Sequence, residues 1–189
     1  MIHVSSEIKD RVWFTVAVNE RGLLVACSFS DRSRKAAEKV VKETVRVNCS
    51  IRNDSLAKRR LHELYTMYSG SGKANFNSLD LSGVSNFRRK VYVQLCRIPR
   101  GKVTTYGAIA RKLGSRKLSR AVGTAVATNP LPLAIPCHRV VPSTLDVGNY
   151  GTPGRKPSEG AYMKHDLLKR EGVKFQSSQI NIECLWSPD

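Results

Sequence analysis

The segment LPLAIPCHRVVPS, Leu131 to Ser143, sets a cysteine between a proline and a histidine at the end of an apolar run. A thiol attacks as the thiolate, and a free cysteine near pKa 8.5 is only a few per cent ionised at neutral pH. An adjacent cation or base lowers that value to roughly 3.5–7.5. His138 and Arg139 follow Cys137 directly, and Pro130, Pro132 and Pro136 stiffen the chain ahead of it. A lone cysteine is more often a small buried hydrophobe. These neighbours point instead to an activated nucleophile, its pKa lowered by the groups beside it.

Charge indicates what such a nucleophile works on. The chain has 189 residues, 32 Lys and Arg against 15 Asp and Glu, and a net charge of +17. From Leu81 to Leu145 there is no acidic residue, while Arg88, Arg89, Lys90, Arg97, Arg100, Lys102, Arg111, Lys112, Arg116, Lys117, Arg120 and Arg139 all fall there. A surface built only for solubility intersperses both signs. A one-signed stretch of this length suits a polyanion, most often nucleic acid. Met1 to Val18 shows no basic start followed by a long apolar run, and no segment approaches a membrane span, so neither a leader nor a membrane partner is expected. The cysteines at 27, 49, 96, 137 and 184 are scattered without a CxxC pair, which suits a reducing compartment rather than a disulfide framework. Gly72-Lys73 is not a phosphate loop, since Ala74 stands where Ser or Thr is needed and Met67 where the first glycine belongs.

The elements that must position the cysteine follow from periodicity. RVWFTVAV and LLVACSFS, joined by NERG, read as a β-hairpin. Residues 33–47 and 56–68 carry apolar side chains at helical spacing, with Asp54 or Ser55 able to cap the second helix. Residues 69–78 are small and polar and read as a linker. Ser85 can cap a helix running through Arg97, with Phe87, Val91, Leu95 and Ile98 on one side. Tyr106 to Pro130 then reads as helix, turn, helix, punctuated by Gly114 and Ser115, the second helix beginning near Lys117 and ending before Pro130. Its small residues (Ser119, Ala121, Gly123, Thr124, Ala125, Ala127) suit either close approach to a DNA groove or tight packing in a core, and the adjacent basic residues favour DNA. The expected organisation is an α/β N-terminal domain over residues 1–83, a small antiparallel sheet plus helices. A mainly α C-terminal domain over 84–175 follows, with a winged-helix-like helix-turn-helix, and then an extension over 176–189.

IPCHRVV (Ile135 to Val141), preceded by RAVGTAVATNP (Arg120 to Pro130) and followed by VGNY (Val147 to Tyr150) and LLKREG (Leu167 to Gly172), resembles the 6-O-alkylguanine-DNA alkyltransferases. The likeness is dense from about Phe87 to Val173. In the N-terminal part only the order of elements matches. It implies repair of 6-O-alkylguanine, and of 4-O-alkylthymine, by irreversible transfer of the alkyl group to Cys137 after the base is flipped from the duplex, with one turnover per molecule and no cofactor. It implies that His138 takes the thiol proton through a water, that Glu171 holds the imidazole, and that Asn129 braces the turn. Tyr106 rotates the nucleotide and donates to the base, and Arg120 fills the vacated space as the helix lies along the minor groove. Gly107, Ser115, Ala121, Gly123, Thr124, Arg88 and Ser143 join Tyr106 and Arg120 on the DNA. Tyr150 and Val140 line the guanine pocket, with Gly151 and Thr152. The implied partner is double-stranded DNA carrying alkylated guanine, bound by a monomer, cooperatively or not, in the cytoplasm, at the nucleoid or in a nucleus.

Departures from the family pattern are local. GTPGRKPSEGAY (Gly151 to Tyr162) is longer than the usual short glycine-rich loop, so the donor to the guanine oxygen is open among Gly151, Thr152 and Gly154. Some relatives hold a structural zinc, but His3, Cys27 and Cys49 lack ligand spacing and no metal is expected. Two rival readings are a DNA-binding regulator without chemistry, whose known forms lack the cysteine, and a cysteine hydrolase, which needs an oxyanion hole and turns over.

Overall fold

The computed structural model describes residues 1–46, 49–51, 55–73, 75–151 and 156–188, with residues 49–51 described for their backbone alone. The chain divides into two compact units. One comprises Met1–Tyr68, Gly72–Gly83 and Pro130–Ala134, the other Ser69–Ser71, Val84–Asn129 and Ile135–Asp189.

In the first unit, strands β1 (Ile2–Lys9), β2 (Val12–Asn19) and β3 (Leu24–Ser30) pair antiparallel. Asn19 shapes the β2–β3 turn, its Oδ1 accepting from the backbone N–H groups of Arg21 and Leu23 at 3.0 Å each. The hairpin expected from RVWFTVAV and LLVACSFS is present. Strand β1 was not anticipated, because IHVSSEIK carries polar residues at most positions and becomes a strand by pairing along the whole of β2. The sheet is mixed rather than purely antiparallel, in the order β3-β2-β1-β4, because β4 (Cys49–Ile51) joins β1 in parallel. Helix α1 (Arg34–Val45) is capped by Ser33, whose side chain accepts from Ala36 N. Helix α2 spans Ser55–Tyr68, so Ser55 opens the helix, and the alternative cap Asp54 lies outside the described residues. Strand alternation sends Val4, Ala17 and Ala26 to pack with Val41 of α1, and Phe14 and Phe29 to pack against the α2 rings. Cys27 is tied to the short segment that leads toward Cys137, with its N–H on Pro130 O at 3.0 Å and its thiol on Pro132 O at 3.2 Å.

The second unit contains Cys137, His138 and Glu171. Helix α3 (Asn86–Arg97) starts at Ser85, whose hydroxyl accepts from Arg88 N, and buries Val91, Tyr92, Gln94 and Leu95. After β5 (Thr104–Thr105), Thr105 caps α4 (Tyr106–Lys112), its hydroxyl accepting from Ala108 N. The following helix begins later than expected. Ser115 caps a 3-10 turn over Arg116–Leu118, and α5 runs from Ser119 to Ala127. It ends short of Pro130, at Thr128, a residue whose N–H and hydroxyl both turn back to Thr124 O. A 3-10 turn, Cys137–Arg139, leads into β6 (Val140–Val141), which pairs with β5 in parallel. Helix α6 spans Pro157–Arg170, so half of the presumed long loop is the start of a helix with proline in its first turn. A small hairpin of β7 (Phe175–Gln176) and β8 (Gln179–Ile180) and a 3-10 turn, Ile182–Cys184, close the unit. Residues after 175 are therefore packed within the second unit, not appended to it.

Candidate active site

Cys137 sits at the start of a turn pinned at both shoulders. Its N–H reaches Ile135 O at 2.7 Å, Arg139 N reaches Pro136 O at 3.1 Å, and Asn129 Nδ2 donates to Ile135 O at 2.9 Å. The thiol is buried, with 6% of the residue exposed. The next residue, His138, is 1% exposed and places Nε2 at 2.9 Å from Glu171 Oε1. Glu171 is the residue that ends α6, a position usually solvated, yet it is buried and takes two further bonds from Arg139: Nε to Oε2 at 2.7 Å and Nη2 to Oε1 at 2.8 Å. The third guanidinium contact is Nη1 to Ile98 O at 2.7 Å.

Ionisation follows from this packing. Burial raises the Glu171 carboxyl, but hydrogen bonds from His138 and Arg139 and their charges outweigh it and hold the group at about 2. An ionised carboxylate only accepts, so His138 Nε2 carries the proton and Nδ1 keeps the lone pair. Nδ1 is buried with no hydrogen-bond partner among the described residues. Burial also pushes the His138 pKa below its ordinary value, against the pull of Glu171, so the ring is neutral at neutral pH. The pair is a base oriented by a carboxylate, with its basic nitrogen uncommitted.

The thiol itself corrects an expectation. Burial pushes Cys137 above the ordinary thiol value instead of the basic neighbours lowering it. Asn129 and Tyr150, whose side chains lie against the sulfur, and the charge of Lys164 pull the other way without overcoming burial. Arg139, expected as an activating cation, is turned away onto Glu171 and Ile98. A resting neutral thiol needs a base to take its proton at the moment of attack.

Lys164 was not anticipated. It is 1% exposed, donates to Val140 O at 2.7 Å, and is lowered by burial to about 8. The signal was in the sequence: Gly160, Met163, Lys164, Leu167 and Leu168 form the buried stripe of α6, and a lysine on an apolar stripe is out of place. Gly160 on that stripe is where Tyr150 crosses. A Cβ there would lie 2.2 Å from Tyr150 O. Val140 is fully buried, while Gly151 is exposed, and Thr152 and Gly154 lie outside the described residues.

Tyr106 opens α4, partly buried, and its pKa is raised, first by burial and then by the proximity of Cys137. Arg120, Ala121 and Thr124 are exposed on α5, and a Cβ built at Gly123 would meet nothing within 4 Å. That surface of α5 is open, and the core is served by Val122 and Ala125. Ser143 is exposed, and Gly107 and Ser115 are partly so. Arg88 is partly exposed, and its guanidinium is bonded within the chain, with Nη2 on Tyr92 Oη at 2.9 Å and on Thr128 O. Tyr92 Oη in turn donates to Ala125 O at 3.1 Å, so this pair braces the C-terminal end of α5.

Residues 86–173 match the family model for the 6-O-methylguanine DNA methyltransferase, DNA binding domain. A methylated-DNA–protein-cysteine methyltransferase of Sulfolobus acidocaldarius is 33% identical over 165 residues, which cover 86% of this chain and 88% of that one. One of Thermococcus sibiricus is 43% identical over 101 residues, 53% of this chain and 52% of that one, so here the chain spans about half the relative's length. The crystal structure of O6-methylguanine-DNA methyltransferase from Pyrococcus kodakaraensis is similar with a TM-score of 0.71 and 28% identity, covering 92% of this chain and 100% of that one. With the Sulfolobus relative aligned along nearly the whole chain, and the cysteine, histidine and glutamate gathered in one buried cluster, this chain belongs to the methylated-DNA–protein-cysteine methyltransferase family.

Proposed function

We propose that this protein repairs 6-O-alkylguanine, and also 4-O-alkylthymine, in double-stranded DNA by a single, irreversible transfer of the alkyl group to Cys137. The observation that carries this reading is the uncommitted Nδ1 of a buried, neutral His138 whose other nitrogen is fixed by an ionised Glu171. Through one bridging water, Nδ1 takes the proton of the Cys137 thiol. The sulfur attacks the alkyl carbon, an S–C bond forms, and the C–O6 bond breaks with its electron pair leaving on the guanine. The guanine is then protonated, with Tyr106, whose phenol burial keeps protonated, as the donor. The product thioether is not exchanged as a disulfide would be, so the molecule is spent.

The base must leave the stack before the buried sulfur can reach it, at a cost of a few kcal/mol. In this reading α4, the 3-10 turn and α5 act as a helix-turn-helix whose open α5 face enters the minor groove, Gly123 permitting close approach and Arg120 filling the gap. Gly107, Ser115, Ala121, Thr124 and Ser143 line the same DNA path. The guanine edge is read by Val140 O, which Lys164 fixes, and by backbone near Cys137, with Tyr150 and Gly151 walling the pocket. The protein acts as a monomer, in the cytoplasm or at the nucleoid. No helix among the described residues is long and apolar enough to cross a membrane.

The test is stoichiometric. Incubation with excess duplex DNA carrying a labelled 6-O-methylguanine should load one equivalent of label, and Cys137→Ala should load none while still binding DNA. Label released as free small product, or transfer beyond one equivalent, would contradict the reading.

A further inference from the structure

Residues 176–188 lie beyond the 86–173 match, yet they are bonded to the chain on both sides of the cysteine turn. On one side is Val103, whose N–H donates to Cys184 O at 2.9 Å and whose carbonyl accepts from Trp186 N at 2.8 Å. The next two residues, Thr104 and Thr105, pair with Val140 and Val141. Val103 thus faces the tail, β5 faces the strand that leaves the Cys137 turn, and Tyr106 follows at once. On the other side is the segment from β6 toward Tyr150. Ile180 N donates to Leu145 O at 2.9 Å, Gln179 Nε2 donates to Thr144 O at 3.0 Å, and Asp146 bridges to Gln179. Ile180 and Cys184 also complete a core with Val103, Val141, Leu168 and Val173. Lys102 Nζ adds a bond to Glu183 O at 2.7 Å.

Strands β5 and β6 are two residues each. A ladder that short does not hold register alone. The tail supplies a third chain beside it and the apolar residues that fix its inner face. We infer that residues 176–188 form a positioning strap that holds Tyr106, the Cys137 turn and the approach to Tyr150 in reacting geometry, so that the tail sets the rate of alkyl transfer. The inference rests on the alkyl-transfer reading above. Its physical basis is the steep dependence of such chemistry on placement, since a shift of about 1 Å costs roughly 100-fold. The DNA-facing residues of α5 touch none of these contacts, so binding and transfer should separate.

The experiment uses the full chain with Ile180→Asn and Ile180→Val, and a shortened chain ending at Phe175. Single-turnover transfer from methylated duplex is followed across DNA concentrations, at temperatures where circular dichroism shows each protein folded. The maximal rate constant is expected to fall about tenfold or more in Ile180→Asn and in the shortened chain. The half-saturating DNA concentration should stay unchanged, and Ile180→Val should transfer as the parent does. A peptide of residues 176–189 added in trans should raise the rate of the shortened chain. If the shortened chain does not fold, the Ile180 pair decides alone. Parental rates in Ile180→Asn, or a loss confined to half-saturation, overturn the strap. A parent chain that transfers nothing overturns the alkyl-transfer reading itself, and the strap with it.

Discussion

Glu171 Oε1 lies 2.9 Å from His138 Nε2, and the same carboxylate is gripped by Nε and Nη2 of the Arg139 guanidinium. That arrangement fixes which imidazole nitrogen is basic. It also makes the base dependent on a carboxylate that never takes a proton in the neutral range, because its pKa is held at about 2.

Glu171→Gln removes the charge and keeps the shape. The imidazole loses its fixed tautomer, and Arg139 is left beside a neutral partner. Transfer should slow on the order of 100-fold, the scale of a lost general base, and stability should drop by about 3 kcal/mol. Single-turnover kinetics and urea titration measure the two. Unchanged transfer would remove Glu171 from the mechanism.

Acid should expose the same pair. Both groups hold protons more weakly folded than unfolded: Glu171 at about 2 against 4.5, and His138 below its ordinary 6.5. Their stabilisation is therefore complete above the unfolded values and is lost as pH falls, first through the His138 range below 6.5, then between 4.5 and about 2 for Glu171. The melting temperature should decline steeply across that interval, and less steeply in Glu171→Gln. The acid limb of the transfer rate should have its midpoint below 6.5. A parental and a Gln variant curve of equal slope would contradict the assigned ionisation.

Gly160→Ala separates propensity from packing. Inside a helix the change ordinarily stabilises by about 1 kcal/mol. Here the new Cβ would stand 2.2 Å from Tyr150 O, which is backbone and cannot rotate aside. The variant should instead be destabilised by about 1–3 kcal/mol, with slower transfer as Tyr150 is displaced from the sulfur. A stabilised variant with parental activity would show that Tyr150 is not held there.

Gly123 gives the opposite pattern. Its Cβ position is open, so Gly123→Leu should keep or raise the melting temperature while weakening duplex binding, because the α5 face can no longer approach the backbone closely. Arg120→Ala on the same face should slow repair of duplex DNA more than transfer from the free alkylated base. Equal loss on both substrates would reject a role in holding the duplex open.

Much of this was legible in the chain. Periodicity and caps located the β2–β3 hairpin and α3 with its Ser85 cap, because both are local and amphipathic. Strand β1 escaped because its evidence lies in its partner β2 and not in its own side chains. The cysteine could be found, but its electrostatics could not. Whether Arg139 activates the thiol or clamps Glu171 depends on where Ile98 and the end of α6 arrive, which no spacing encodes. Lys164 left a trace as a charge on an apolar stripe, yet its carbonyl partner, Val140, is 24 residues away. The tail gave no sign of its attachments at Val103 and Leu145, since those are backbone bonds indifferent to side chain.

The most direct measurement of the central claim is the intact mass of the protein after exposure to excess methylated duplex DNA, followed by proteolysis to locate the modification. The account predicts a gain of one methyl group per molecule, carried on the peptide containing Cys137 and absent from Cys27, Cys49, Cys96 and Cys184. An unchanged mass with demethylated DNA, or a methyl group found on another cysteine, would contradict it.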